Sequence, residues 1–156
     1  MKNKFILLIY FIINLYTSSV AKAGDNHLLP QPQKFTPSHT SFQVNKVKLS
    51  TPVLQQEWEA FIAEMSGTVS PKATAVIEVR LLPSLPEIPM NRDEAYRLNV
   101  TKKRITVEAV TERGVYWAMQ TLRQLAEKRN SKTQIQGAEI VDWPAFRIRG
   151  FMQDVG

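Results

Sequence analysis

The sequence predicts an α+β fold: a two-layer sandwich of a mostly antiparallel sheet with two helices on one face. Three observations carry the prediction. Several short segments alternate apolar and polar residues, as strands with one buried face do. Two longer segments place apolar residues at helical spacing. The elements follow as strand, helix, strand, hairpin, helix, strand, which sets runs of strands against helices on one side.

The elements can be justified in order. Gly24 to Thr40 is a lead-in rich in proline and polar residues. Within it, Leu28-Leu29-Pro30-Gln31-Pro32-Gln33 is expected to lie extended across a surface, because each proline keeps its predecessor out of the helical region. Phe42 to Leu49 reads as the first strand, with a shift between the pairs Phe42, Val44 and Val47, Leu49. Gln55 to Met65 reads as a helix, since Trp58, Phe61, Ile62 and Met65 share one face. Thr51-Pro52 stands near its start and Gly67 marks its stop. Ala73 to Leu82 has the length and β-branched content of a strand, and Pro83, Pro86 and Pro89 then require a loop.

The clearest stretch follows. Tyr96, Leu98 and Val100, the polar turn Thr101-Lys102-Lys103, and Ile105 and Val107 make a hairpin with one buried face. A turn glycine, Gly114, leads to a helix whose Val115, Ala118, Met119, Leu122 and Leu125 should pack on that face. Lys128 and Arg129 are expected at its C-terminal end, where positive charge is favoured. Ile135 to Val141 is the closing strand and Trp143-Pro144 breaks it. Phe146 to Gly156 alternates again and reads as a strand with no partner in the sequence.

The first 23 residues stand apart. Lys2 and Lys4 give a basic start, Phe5 to Ile13 an apolar run, and Ala21-Lys22-Ala23 a small-x-small exit site. They are expected to be a signal peptide cleaved near Ala23, leaving a mature chain free in the periplasm or the medium with no membrane attachment. The run is shorter than the roughly 20 residues that span a bilayer. The formal net charge of +6 loses most of its meaning with them. Without the three lysines of that segment, 17 basic and 14 acidic residues remain, a net of +3, which is no footprint for nucleic acid. With no cysteine, the chain must hold together by packing alone.

Little points to chemistry. His27 and His39 lie in the lead-in without acids at ligand spacing, so neither a metal site nor a serine nucleophile's base is expected, and no cofactor is implied. Glu57 and Glu59 are two apart on a helix and do not face each other. Asp93-Glu94 reads as a solvated strand start, and Asn99-Val100-Thr101 as a chance match to a glycan acceptor. Trp58 and Trp117 sit on helix faces that look buried.

Two blocks carry a resemblance. One runs from Tyr96 through Ile105-Thr106-Val107 to Arg113-Gly114-Val115-Tyr116-Trp117-Ala118-Met119-Gln120-Thr121-Leu122. The other is Asp142-Trp143-Pro144-Ala145-Phe146-Arg147-Ile148-Arg149-Gly150-Phe151-Met152-Gln153-Asp154. Together with Leu29-Pro30-Gln31-Pro32 they resemble the small N-terminal domain of glycoside hydrolase family 20, the β-N-acetylhexosaminidases, and its junction into the first barrel strand. The resemblance implies residues 24–144 as that domain and residues 145–156 as the start of a truncated barrel. It implies that the glycine-plus-aromatic-pair helix backs onto the barrel. It implies N-acetylhexosamine-containing glycans as partners, met through the missing barrel. One site residue carries over: Arg149, which matches an arginine that hydrogen-bonds hydroxyls of the terminal sugar. From the residues alone, an ion pair of Arg149 with Asp154 is the other reading. The family's catalytic Asp-Glu pair has no counterpart here, so the chain by itself is expected to be inactive. Three alternatives are a free-standing accessory or carbohydrate-binding module, which needs an exposed aromatic platform, the N-terminal domain of another exported glycosidase such as an α-glucuronidase, and an RNA-binding module. Export and low mature charge oppose the last.

Overall fold

The computed structural model describes residues 28–129 and 132–147. Residues 1–23, His27, Arg149, Asp154 and most of the barrel-strand segment therefore lie outside the described residues.

Among the described residues ten elements follow one another: β1 (Lys34–Val44), β2 (Lys46–Ser50), α1 (Gln55–Glu64), β3 (Thr68–Val69), β4 (Ala75–Leu81), β5 (Tyr96–Val100), β6 (Arg104–Ala109), α2 (Glu112–Gln124), β7 (Ala126–Arg129) and β8 (Lys132–Asp142). The eight strands form one sheet in the order β1-β8-β5-β6-β4-β2-β3, with β7 also on β8. Four pairings are antiparallel and three, along β6-β4-β2-β3, are parallel. The expected α+β sandwich with a mostly antiparallel sheet and two helices is what forms.

Register shows why the alternation was readable. Val79 lies opposite Val107, Val107 opposite Leu98, and Leu98 opposite Ile140, so one row of apolar side chains crosses four strands on one face. Both helices press on that face, since Trp58, Phe61 and Ile62 of α1 and Val115, Met119 and Leu122 of α2 share one core cluster with the strands. Burying each such side chain is worth about 1.5–3 kcal/mol. The rows between them point the other way and carry charge. Glu78 bonds Arg80 at 2.8 Å and Arg104 at 2.5 Å, and Glu108 bonds Arg97 at 2.6 Å. These arginines hold the carboxylate of Glu78 below its ordinary range.

The structure corrects five expectations. Phe42 to Leu49 is not one strand: the shift marks Asn45, where the chain leaves β8 as a partner and joins β4 as β2. Lys128 and Arg129 are not on the second helix, which ends at Gln124; they belong to β7. The base in its last turn is Arg123, which reaches Glu64 at 3.0 Å and lies over the Phe61 ring at 5.5 Å, tying the two helices together. Gly114 is no turn residue but sits inside α2. A Cβ there would come within 2.2 Å of the Ala95 carbonyl oxygen, so its bareness lets the helix approach the entry to β5. The first strand begins at Lys34 and not at Phe42, so the second half of the expected lead-in pairs with β8, whereas Gly67 does close α1, its amide donating to the Ile62 carbonyl at 2.8 Å just after the left-handed Ser66 (φ 62°). Trp117 is not buried but 42% exposed, whereas Trp58 is fully buried as expected.

Candidate functional site

A cleft of about 540 Å³ lies beside α2. Sequence reasoning placed its parts but not their meeting. One wall is the outward side of α2, with Trp117, Gln120, Thr121 and Gln124. The other is the extended lead-in Leu28 to Gln33, and Asp142 to Phe146 close the end where the chain leaves the sheet.

Local chemistry fixes each wall. Thr111 starts α2 by accepting the Arg113 amide on its hydroxyl oxygen at 3.2 Å, while the hydroxyl donates to the Asp93 carbonyl. A cap of this kind is worth roughly 1 kcal/mol. Leu28 to Gln33 precede β1 and join no strand, and the side-chain amide of Gln124 takes a partner strand's role. It accepts from the Leu29 amide at 2.8 Å and donates to the Leu29 carbonyl at 3.0 Å. Leu28 is thereby buried in the main core.

Asp142 joins three segments. Its Oδ1 accepts from the Gln33 amide at 3.1 Å, and its Oδ2 accepts from the Tyr96 hydroxyl at 3.4 Å. Tyr96 also lies 2.6 Å from the Thr121 hydroxyl. Because Tyr96 has one proton and an ionised carboxylate can only accept, Thr121 donates to Tyr96 and Tyr96 to Asp142. Burial first, and then the Asp142 carboxylate, push the Tyr96 phenol well above its ordinary range, so it stays neutral. Asp142 therefore works as a clasp between lead-in, sheet and helix.

The exit segment is held from the other side. Asn91, with a left-handed backbone (φ 48°), donates its side-chain amide to the Pro144 carbonyl at 2.6 Å. Trp143 packs with Leu82, Val110 and Val141 against a second small core of Leu85, Ile88 and Ala95. The proline-rich loop after β4 is thus a bracket for the exit. The side chain of Arg97 bonds both Glu87 of this loop and Glu108, anchoring it to the sheet. Asn91 was not singled out from sequence. Its one available signal was an asparagine two positions after Pro89 at the end of a proline-rich loop, since asparagine tolerates this backbone region better than most residues.

Past this bracket the surface is apolar and open. Phe146 is 73% exposed, and Tyr116 and Trp117 meet edge to face with centroids 5.5 Å apart. Arg149, the sugar-binding candidate, lies outside the described residues, three positions past Phe146. His39 is exposed on β1. Glu57 and Glu59 are exposed on α1, and Asp93 pairs with Arg113 at 3.5 Å. Asn99 lies in β5 opposite Glu139 and Thr106.

Comparison with known proteins places this architecture. A family model described as glycosyl hydrolase family 20, domain 2, matches residues 25–143. A Porphyromonas gingivalis protein named beta-hexosaminidase is 28% identical over 145 residues, 83% of this chain and 18% of that protein. Among solved structures, the Flavobacterium johnsoniae chitobiase shares 26% identity with a TM-score of 0.59, over 81% of this chain and 22% of its own. The Vibrio harveyi exo-β-N-acetylglucosaminidase, solved in complex with N-acetylglucosamine, shares 23% identity with a TM-score of 0.59, over 78% of this chain and 20% of its own. At that identity the second likeness speaks for fold alone. This chain spans 18% to 22% of the length of these relatives.

Proposed function

We propose, from the premise that this chain belongs to glycosyl hydrolase family 20 and supplies its non-catalytic domain 2, that it is the N-terminal part of an exported β-N-acetylhexosaminidase. Its role is to brace a catalytic barrel. The observation that carries this reading is the outward face of α2. Trp117 and Tyr116 are exposed on a helix whose opposite side is already buried, and Phe146 is exposed where the chain leaves the bracket. Apolar area of this kind at a chain exit is worth about 25 cal/mol per Å² when covered. A barrel beginning at residues 145–156 would cover it. Export rests on the basic, apolar and small-x-small pattern of residues 1–23, with cleavage near Ala23.

In the intact enzyme the glycan would be met by the barrel, with Arg149 donating to hydroxyls of the terminal N-acetylhexosamine. These 156 residues hold no counterpart of the acid that must protonate the leaving group. General acid catalysis is typically worth about 10²–10⁴-fold. The purified chain is therefore expected to release no chromophore from a chromogenic N-acetylglucosaminide above a no-protein blank. Turnover by a sample free of host enzyme would overturn the reading.

The exposure of Trp117 also favours a second reading, a free-standing carbohydrate-binding module. Against it, the Tyr116 and Trp117 rings stand at 74° to each other and offer no flat platform for a sugar ring. Titrating the chain with N-acetylglucosamine oligomers and following tryptophan fluorescence separates the two. The brace predicts no saturable change.

A further inference from the structure

The seven ion pairs among the described residues are all made by arginine. The described lysines form none, and most of them stand at one end of the sheet. Register places them there. Lys46 opens β2 beside Thr68, and Thr133, the neighbour of Lys132, lies opposite both Val44 and Lys128. Lys72 precedes β4, whose Ala75 lies opposite Val47. Lys102 and Lys103 form the tip of the β5-β6 hairpin, and the Lys103 carbonyl accepts the Val76 amide at 2.9 Å. These six exposed lysines therefore stand at the ends of successive strands across one end of the sheet, with Lys128 and Lys132 on the hairpin that runs past the β5-β6 tip, since Val100 lies opposite Ala138. Of the acids nearby, Glu78 is engaged by Arg80 and Arg104, and Glu64 by Arg123. Glu127 lies beside Lys128 on β7. Lysine charge is thus gathered at the end of the sheet opposite the cleft.

We infer that this lysine edge is a docking line for an acidic polysaccharide, a linear chain bearing a carboxylate or sulfate on each sugar or on alternate sugars. The charges form a line and not a plane, which suits a chain better than a bed of lipid headgroups. Lysine supplies compact, mobile point charges that track a flexible polyanion without the fixed fork of arginine. The exposed aromatic residues, Tyr116, Trp117 and Phe146, belong to the cleft side, so the edge offers no stacking surface for nucleic-acid bases. Its exposed apolar residue, Val69, is too small an anchor for membrane insertion. Because the edge faces away from the cleft, docking there leaves the surface proposed for the barrel free, and it holds whether or not that proposal does.

The test is binding of the full chain to polygalacturonate, measured by affinity electrophoresis against a neutral dextran control. Retardation by polygalacturonate that falls steeply with salt is expected. At roughly fivefold per lysine near an anionic surface, replacing Lys46, Lys72 and Lys103 together by alanine should weaken binding about a hundredfold. Replacing them by arginine should retain most of it, which guards against a folding artefact. Removing three positive charges at the other end, at Lys34, Arg113 and Arg147, should cost less than about threefold, since exposed charges a sheet length away are screened. No retardation, or equal loss in the two alanine variants, overturns the inference. So does tighter, lysine-dependent binding to phosphatidylglycerol vesicles or to single-stranded oligothymidylate.

Discussion

The two helices each carry one tryptophan, and they use it in opposite ways. In α1, Trp58 is fully buried and meets Phe61 edge to face at 5.5 Å. The outer side of that helix is polar, with Gln55, Gln56, Glu57 and Glu59 all exposed. In α2 the inner side is filled by Val115, Ala118, Met119 and Leu122, and Trp117 points outward beside Tyr116. One helix therefore completes this domain's core, and the other presents a second, exposed aromatic side. The starts differ in the same sense. Thr111 caps α2, whereas α1 begins after Leu54 in a left-handed conformation with no side-chain cap, so α1 depends on packing and α2 has local support as well.

That contrast can be broken by measurement. Trp58→Ala should lower unfolding stability by about 3–5 kcal/mol in urea titration, the usual cost of emptying a large aromatic site. Trp117→Ala should change it by less than about 0.5 kcal/mol, as exposed substitutions do. Similar costs for both would end the distinction between the helices. Gly114→Ala comes next, at about 1–3 kcal/mol for overpacking against a backbone carbonyl that is slow to yield. Thr111→Val, which removes the cap of α2, should cost about 1 kcal/mol.

A pH profile sharpens the comparison from the cleft side. Tyr96 has a folded pKa raised above its ordinary value, so its contribution is complete below about pH 10, where the unfolded phenol titrates, and declines as pH rises beyond. Tyr96→Phe should remove that alkaline decline and cost about 1 kcal/mol at neutral pH for the lost hydrogen bonds. Glu78 and Glu87 behave in the opposite sense. Their carboxyls are held low by arginines, so their support is present above about pH 4.3 and is lost as pH falls. An alkaline limb unchanged in Tyr96→Phe would show that Tyr96 is not the titrating group.

The hairpin, both helices and the closing strand were legible because each keeps its period. Tyr96-Leu98-Val100 and Ile105-Val107 alternate cleanly, and the inner stripe of α2 runs from Val115 through Ala118 and Met119 to Leu122 without a polar break. The cleft was half legible. Its extended lead-in was expected from Pro30 and Pro32, but nothing local says that Gln124 would bond Leu29, or that Asp142 would hold Gln33 and Tyr96. Those partners lie 95, 109 and 46 residues apart. Trp117 was misplaced because an aromatic one position from an apolar stripe scans as part of it. One residue on a helix turns the side chain by 100°, enough to move Trp117 from the core side to the solvent side.

The sequence by itself determined the class of fold, the buried face of each element and the family, since these depend on short-range period and on the order of residues. Apart from the β5-β6 hairpin, tertiary structure alone decided which strands became neighbours. Lys34 meets Val141, and the chain crosses from one strand neighbourhood to another over the single residue Asn45. It also decided that the arginines would meet acids while the lysines gathered on one edge. The physical reason is common to all of these. Periodicity specifies a face, but a face is satisfied by any apolar partner, and only the packing of the whole chain selects one.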